Sequence, residues 1–181
     1  MDERATHPIQ LLYDIEQRSI RIAKGLPQRE AIKELWSGIA FRIGEFQFVA
    51  PLEQVNEILH YPSLTTFPGT KSWVKGIANI RGSLVPVMDL SAYLGKKHIG
   101  VNNQSRILVI HRDSITVGLL IDEVQGLKHF DDAEKTTSVT RFDEVLKDYV
   151  QGAFRQQNND EYLVFNLDAL AYHPEFYKVA V

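Results

Sequence analysis

From Gly38 onward the chain alternates. Ile39, Phe41 and Ile43 fall on one side and Ala40 and Arg42 on the other, the two-residue period of a strand with one buried face. Gly44-Glu45 turns the chain into Phe46, Phe48 and Ala50, and a glycine at the first central position of a two-residue loop predicts a type II′ hairpin. Pro51 cannot donate to a ladder, so the strand ends or bends there. Val55–Leu59 predicts a further short strand, and Tyr61–Thr70, with Pro62, Pro68 and Gly69, predicts a loop. Trp73–Gly95 reads as two short strands around a turn at Arg81-Gly82, then a short helix opened by Asp89 and closed by Gly95. Lys96–Gln104 is polar and predicts an exposed linker. Ile107–Ile110 and Ile115–Ile121 predict strands joined near Arg112–Ser114, with Val124–Leu127 extending the second sheet. Phe130–Leu146 is polar and acidic, with one helical turn near Phe142–Leu146. Tyr149–Phe154 and Tyr162–Phe165 predict the last strands, Leu167–Tyr172 predicts a short helix, and a tail follows Pro174.

Before Gly38 the period is different. Leu12, Ile15, Ser19 and Ile22 step by three and four residues, which lines one face of a helix over residues 8 to 24. Pro8 suits its start, and Gly25 with Pro27 suits its stop. A second helix is expected over Gln28–Trp36, with Ile32, Leu35 and Trp36 on one side. Residues 1 to 38 carry six acidic and six basic side chains, so the segment is solvated and amphipathic. Two readings stay open: a helix packed on its own domain, or a partner-binding arm.

Many short strands with little helix between them argue for a mainly β fold of antiparallel sheets closed into barrels. The part after the N-terminal segment is long enough for two small barrels side by side. The domains read as a helical extension over residues 1–36 and a β domain over 37–181. No internal sequence repeat is demonstrable.

Charge and composition remove several function classes. A formal net charge of −3 offers no large basic field for nucleic acid. The absence of cysteine excludes thiolate catalysis, disulfides and Cys-ligated zinc. No apolar run approaches the roughly 18 residues of a membrane span, and the acidic N-terminus lacks a signal-peptide core, so the chain reads as cytoplasmic. No glycine-rich loop ends in Lys-Ser or Lys-Thr, no two of the histidines at 7, 60, 98, 111, 129 and 173 stand three or four apart, and no Gly-x-Ser-x-Gly elbow occurs. Asp122-Glu123 are neighbours on a predicted strand and so point to opposite faces, which bars them from paired acid–base work. Asp131, Asp132 and Glu134 read as a solvated acidic loop. No catalytic, metal or cofactor site is expected.

The ordered string Asn79-Ile80-Arg81-Gly82, Val85-Pro86-Val87, Asp89-Leu90 resembles the signature hairpin of the CheW-like coupling proteins of bacterial chemotaxis. Further blocks extend the resemblance from about Ser37 to Tyr172. They are Phe41-Arg42-Ile43-Gly44, Pro51 to Ile58, Val74 to Gly82, Arg106 to Ile110, Val117 to Val124, Asp148 to Ala153, and Leu163 to Asp168. The resemblance implies two SH3-like five-stranded barrels flanking a hydrophobic junction, and a cytoplasmic adaptor without catalysis. Its implied partners are the regulatory domain of a CheA-type histidine kinase and the membrane-distal tip of a methyl-accepting chemoreceptor, with no nucleic acid and no insertion into the membrane. It assigns coupling to segments holding Val55, Glu57, Gly76, Asn79, Arg81 and Gly82.

Leu11 to Ser19, Gly25-Leu26-Pro27 and Trp36-Ser37-Gly38 are similar to the extension of coupling proteins of the PilI type, from chemosensory systems of type IV pilus twitching motility. Ala78 departs from the bulkier apolar residue of many members, a change expected to bear on the junction. Arg81 at a hairpin corner has two readings: a donor fork offered to a partner carboxylate, or half of an internal pair with Asp89 or Glu57. Gly76 and Gly82 permit backbone shapes or close approaches that serve either folding or docking. Val55, Ile58 and Leu59 are core or an apolar docking patch. The competing function is a small-molecule-binding β-barrel sensor, which needs a closed pocket with convergent polar groups. An enzyme with an unrecognised site ranks below both.

Overall fold

The computed structural model describes residues 8–22, 35–137, 144–156 and 159–181. The chain divides into two compact units, Met1–Lys33 and Glu34–Val181. The described part of the first is one helix, α1 (Pro8–Ile22), on which Ile9, Leu12, Tyr13 and Ile15 are exposed. The helix expected over Gln28–Trp36 lies mostly outside the described residues. Its last residue, Trp36, instead opens a strand, because its ring fills a β-lobe with Phe130 and Phe154.

The second unit is two curled sheets. The first orders β8 (Glu123–Phe130), β1 (Trp36–Ile43), β2 (Phe46–Pro51), β11 (Glu161–Phe165), β10 (Val150–Arg155) and β9 (Lys135–Thr136). The second orders β3 (Glu57–His60), β6 (Arg106–Arg112), β7 (Ile115–Ile121), β5 (Ser83–Asp89) and β4 (Val74–Ile80). The two-residue β9 makes the first sheet six-stranded rather than five. Neither sheet is wholly antiparallel: β11 runs parallel to β2, and β5 parallel to β7. The strand at Val124–Leu127 pairs with β1, so it belongs to the first sheet and not to that of its sequence neighbour β7. The strand expected from Val55 begins at Glu57, because Leu52–Gln54 forms a 3-10 turn first.

The interior period explains the cores. Ala40, Val49, Phe130, Phe154, Tyr162 and Val164 fill the first lobe. Ala78, Val87, Ile99, Ile107, Val109 and Leu120 fill the second. Ala78 is therefore packed inside the second lobe and does not shape the junction as expected. The alternate residues of both sheets, among them Phe41, Phe48, Phe165, Leu108, Leu119 and Met88, meet in the largest cluster between the lobes. Strands β5 and β7 thus bury both faces, which is why each reads as an unbroken apolar run.

Two caps position this junction. Asp89 opens α2 (Leu90–Tyr93) by accepting from the Ala92 N–H at 3.1 Å. Asn166 opens α3 (Leu167–Ala171) by accepting from the Asp168 and Ala169 N–H groups. Ile99 is buried and its N–H reaches Asp89 Oδ2 at 3.1 Å, so the polar stretch Lys96–Gln104 is pinned at its centre rather than free. The segment after Pro174 is not a plain tail. It forms α4 (Pro174–Tyr177), seats Phe176 in the core and bridges Ala180 to Thr70.

The lobes repeat one scheme. In each, an antiparallel hairpin (β1–β2 or β6–β7) lies parallel to a strand that ends in a capped helix (β11 to α3, β5 to α2). That strand pairs with a bulged partner, β10 or β4. The echo is present in the residues: Trp73-Val74-Lys75-Gly76 beside Tyr149-Val150-Gln151-Gly152, and Val87-Met88-Asp89-Leu90 beside Val164-Phe165-Asn166-Leu167. Four-residue matches this degenerate become visible as a repeat only when the topology aligns them.

Candidate functional site

The turn joining β4 and β5 is built from its own residues. Arg81 has φ 52° and Gly82 φ 87°, and two positive central residues make the primed turn that suits the twist of a hairpin. Asn79 Oδ1 accepts the Gly82 N–H at 2.9 Å and holds that shape. The turn carries Arg81 outward with its side chain 81% exposed, and Arg81 Nη2 donates to Glu57 Oε1 at 2.5 Å. The internal partner of Arg81 is thus Glu57. Asp89 is wholly buried and serves Ala92, Ile99 and His98 instead.

Glu57 sits on β3, at one edge of the second sheet, and the turn belongs to β4 at the other. Their ion pair shows that the sheet curls until its edges face each other. A strap completes the closure: Thr65 and Ile77 exchange two backbone hydrogen bonds of 2.9 Å. Gly76 makes room for it. Its φ is 140°, and a Cβ there would stand 2.5 Å from the Thr65 carbonyl oxygen. The close-approach reading of Gly76 is therefore a folding role, and Gly82, with open space around it, is a turn residue.

The positions that the resemblance assigns to coupling do not form one patch. Arg81 and Glu57 meet on the surface, Asn79 and Gly82 shape the turn beneath Arg81, and Gly76 sits under the strap. Val55 is half-buried against the junction core. Ile58 is exposed at the edge, and Leu59 packs against the second lobe's interior. Leu84, two residues past the turn, is 74% exposed. Its exposure is not legible in the sequence, because β5 is apolar on both faces and only the end of its outer row emerges from the core. An apolar groove of about 300 Å³ continues that outer face past Ile77, Pro86, Ile115 and Val117 to Tyr177 and Val179. It has no converging polar groups, and the interiors of both lobes are filled by side chains.

The acidic pair Asp122-Glu123 does converge, contrary to expectation. Arg42 donates from Nε to Glu123 at 2.9 Å and from Nη1 to Asp122 at 3.3 Å. Asp122 lies in the bend between β7 and β8 rather than inside a strand, so the alternation rule does not separate them. Both carboxylates pair with Arg42, whose pKa the Glu123 hydrogen bond raises. A second polar lock joins the lobes: Arg112 Nε pairs with Asp168, Gln54 Nε2 donates to the same carboxylate at 3.1 Å, and Tyr172 donates to Asp113 at 3.0 Å. Among the described residues no group of three or more His, Asp or Glu side chains is placed to hold a metal ion.

The geometry is that of a rigid double lobe with a polar turn and apolar rows on its outside, and comparison with known proteins agrees with it. The CheW-like domain matches residues 37–175. Protein PilI of Pseudomonas aeruginosa is 42% identical over 174 residues, covering 96% of this chain and 97% of its own length. Chemotaxis protein CheW of Rhizobium meliloti is 36% identical over 101 residues, covering 54% of this chain and 65% of its own. The crystal structure of the scaffolding protein TtCheW from Thermoanaerobacter tengcongensis superimposes with a TM-score of 0.64 at 21% identity, over 78% of this chain and 91% of that one, a likeness of fold. The chain is a member of the CheW-like domain family.

Proposed function

We infer that this protein is a scaffold that couples chemoreceptors to a CheA-type histidine kinase in a pilus-related chemosensory system. The observation that carries the reading is the 42% identity to PilI, which runs through the N-terminal extension as well as the two lobes. Coupling is a binding task and needs no reacting centre. Consistent with that, the converging carboxylates Asp122 and Glu123 are held by Arg42, and the β4–β5 turn presents the Arg81–Glu57 pair to solvent.

Within this reading Arg81, Glu57 and Leu84 form the contact surface. Val55, Gly76, Asn79 and Gly82 hold it in shape. Residues 1–33 act as an arm and 34–181 as the coupling domain, and the output is twitching motility. No helix among the described residues is long and apolar enough to cross a membrane. The scaffold reaches membrane-associated receptor arrays through its partners. Calorimetric titration against the regulatory domain of the kinase from the same cell tests the reading. Saturable one-to-one binding is expected. No binding to that domain or to a receptor tip at high micromolar concentration would overturn it.

A further inference from the structure

We propose that the notch walled by Trp73, Tyr93, Tyr149 and His173, and rimmed by Asp148 and Glu175, binds an organic cation through an alkylammonium or guanidinium group. The notch lies where the two repeats meet, because Trp73 and Tyr149 are equivalent residues of the two lobes. Its volume is about 400 Å³, the size for a small organic ion or one cationic side chain. It shares no residue with the Arg81 surface and does not depend on the scaffold reading.

The wall is aromatic, and its phenol hydroxyls and His173 Nδ1 contact one another. Trp73 meets Tyr93 edge to face at 5.1 Å, and Tyr93 lies 6.1 Å from Tyr149. Tyr93 and Tyr149 share a hydroxyl contact of 2.9 Å, and the Tyr93 hydroxyl lies 3.3 Å from His173 Nδ1. That nitrogen also accepts the Glu175 N–H at 3.3 Å. Trp73 and Tyr149 are 8% and 4% exposed, so the open ring surface is chiefly that of the half-buried Tyr93 and His173, and π surface favours cations.

Two carboxylates, Asp148 and Glu175, line the notch. Burial raises the pKa of both Tyr93 and Tyr149, and Asp148 and Glu175 each add to the rise in both phenols. A carboxylate that resists phenolate formation also attracts a cation placed beside the ring. Asp148 is exposed and has no ion-pair partner among the described residues. Glu175 is shared with Lys178 at 2.5 Å and with Lys71 at 3.9 Å. Lys71 lines the notch as well, so its ammonium competes for the same rim.

The test uses the full chain with Trp36→Phe, which leaves Trp73 as the one tryptophan. Choline is titrated against its neutral isostere 3,3-dimethyl-1-butanol at matched ionic strength. Saturable change in Trp73 emission with choline alone is expected. The indole N–H shift of Trp73 in the unaltered chain gives the same reading by NMR. Asp148→Asn should weaken binding roughly two- to five-fold, the size of an exposed charge contact. Lys71→Met should tighten it by a similar factor. Equal response to both probes would reduce the notch to an apolar cleft and overturn the proposal. So would no saturation up to about 100 mM, or an unchanged affinity in Lys71→Met. If choline binds free and a partner complex abolishes that binding, the source of the cation is a partner side chain. If binding persists in the complex, it is a free amine.

Discussion

The two lobes share a strand scheme and fill it differently. The first packs rings: Phe130 stacks on Phe154 at 4.5 Å, and Trp36 closes over Phe154 at 4.9 Å. The second packs Ala, Val, Ile and Leu. The backbone approaches more closely at one equivalent position of the second lobe. A Cβ at Gly76 would meet the Thr65 carbonyl at 2.5 Å, whereas one at the equivalent Gly152 would meet Thr136 at 3.4 Å. The tight lobe brings its edges close enough for Arg81 and Glu57 to pair across them. The ring-filled lobe closes by burying apolar surface. One barrel is thus sealed by a core no partner can reach, and the other by a surface ion pair that a partner can contest.

The comparison can be broken in order of effect. Phe154→Ala should cost about 3–5 kcal/mol and lower the midpoint of chemical unfolding. Gly76→Ala should cost about 2–5 kcal/mol from positive-φ strain plus overpacking, and Gly152→Ala only about 1–3 kcal/mol from strain. Equal losses by thermal melting would mean that Thr65 and Thr136 crowd the two glycines equally. Asp89→Ala strips three contacts from a buried carboxylate and should cost about 1–3 kcal/mol, against about 1 kcal/mol for the matching cap change Asn166→Ala.

Arg81→Glu should change stability by less than about 1 kcal/mol, because the side chain is exposed, yet abolish the receptor–kinase complex. The charge swap Arg81→Glu with Glu57→Arg restores the internal pair. If the swapped protein couples normally, Arg81 acts through Glu57 and not on a partner. The smallest effect is expected from removing residues 1–33. All the buried clusters described lie in 34–181, so the cooperative thermal transition should survive. Trp36 must be kept, because its ring belongs to the first lobe.

Period and turn chemistry made much of this protein readable in one dimension. The switch at Gly38, the Arg81-Gly82 turn and the Asp89 cap follow from local alternation, positive φ and capping, which need only neighbouring residues. The order of family blocks was likewise present in the string. What required the fold was every pairing across long separations. Glu57 and Arg81 stand 24 residues apart and Asp122 and Arg42 80 apart, and no local rule relates them. The assignment of β8 to the first sheet, the parallel pairs, the burial of Ile99 and the internal repeat have the same cause. Sequence by itself determined which segments are strands and where they turn, because those are set by forces between adjacent residues. Only the tertiary structure decided which strand edges meet, because that depends on how large the interior side chains are and how far each sheet must curl to enclose them.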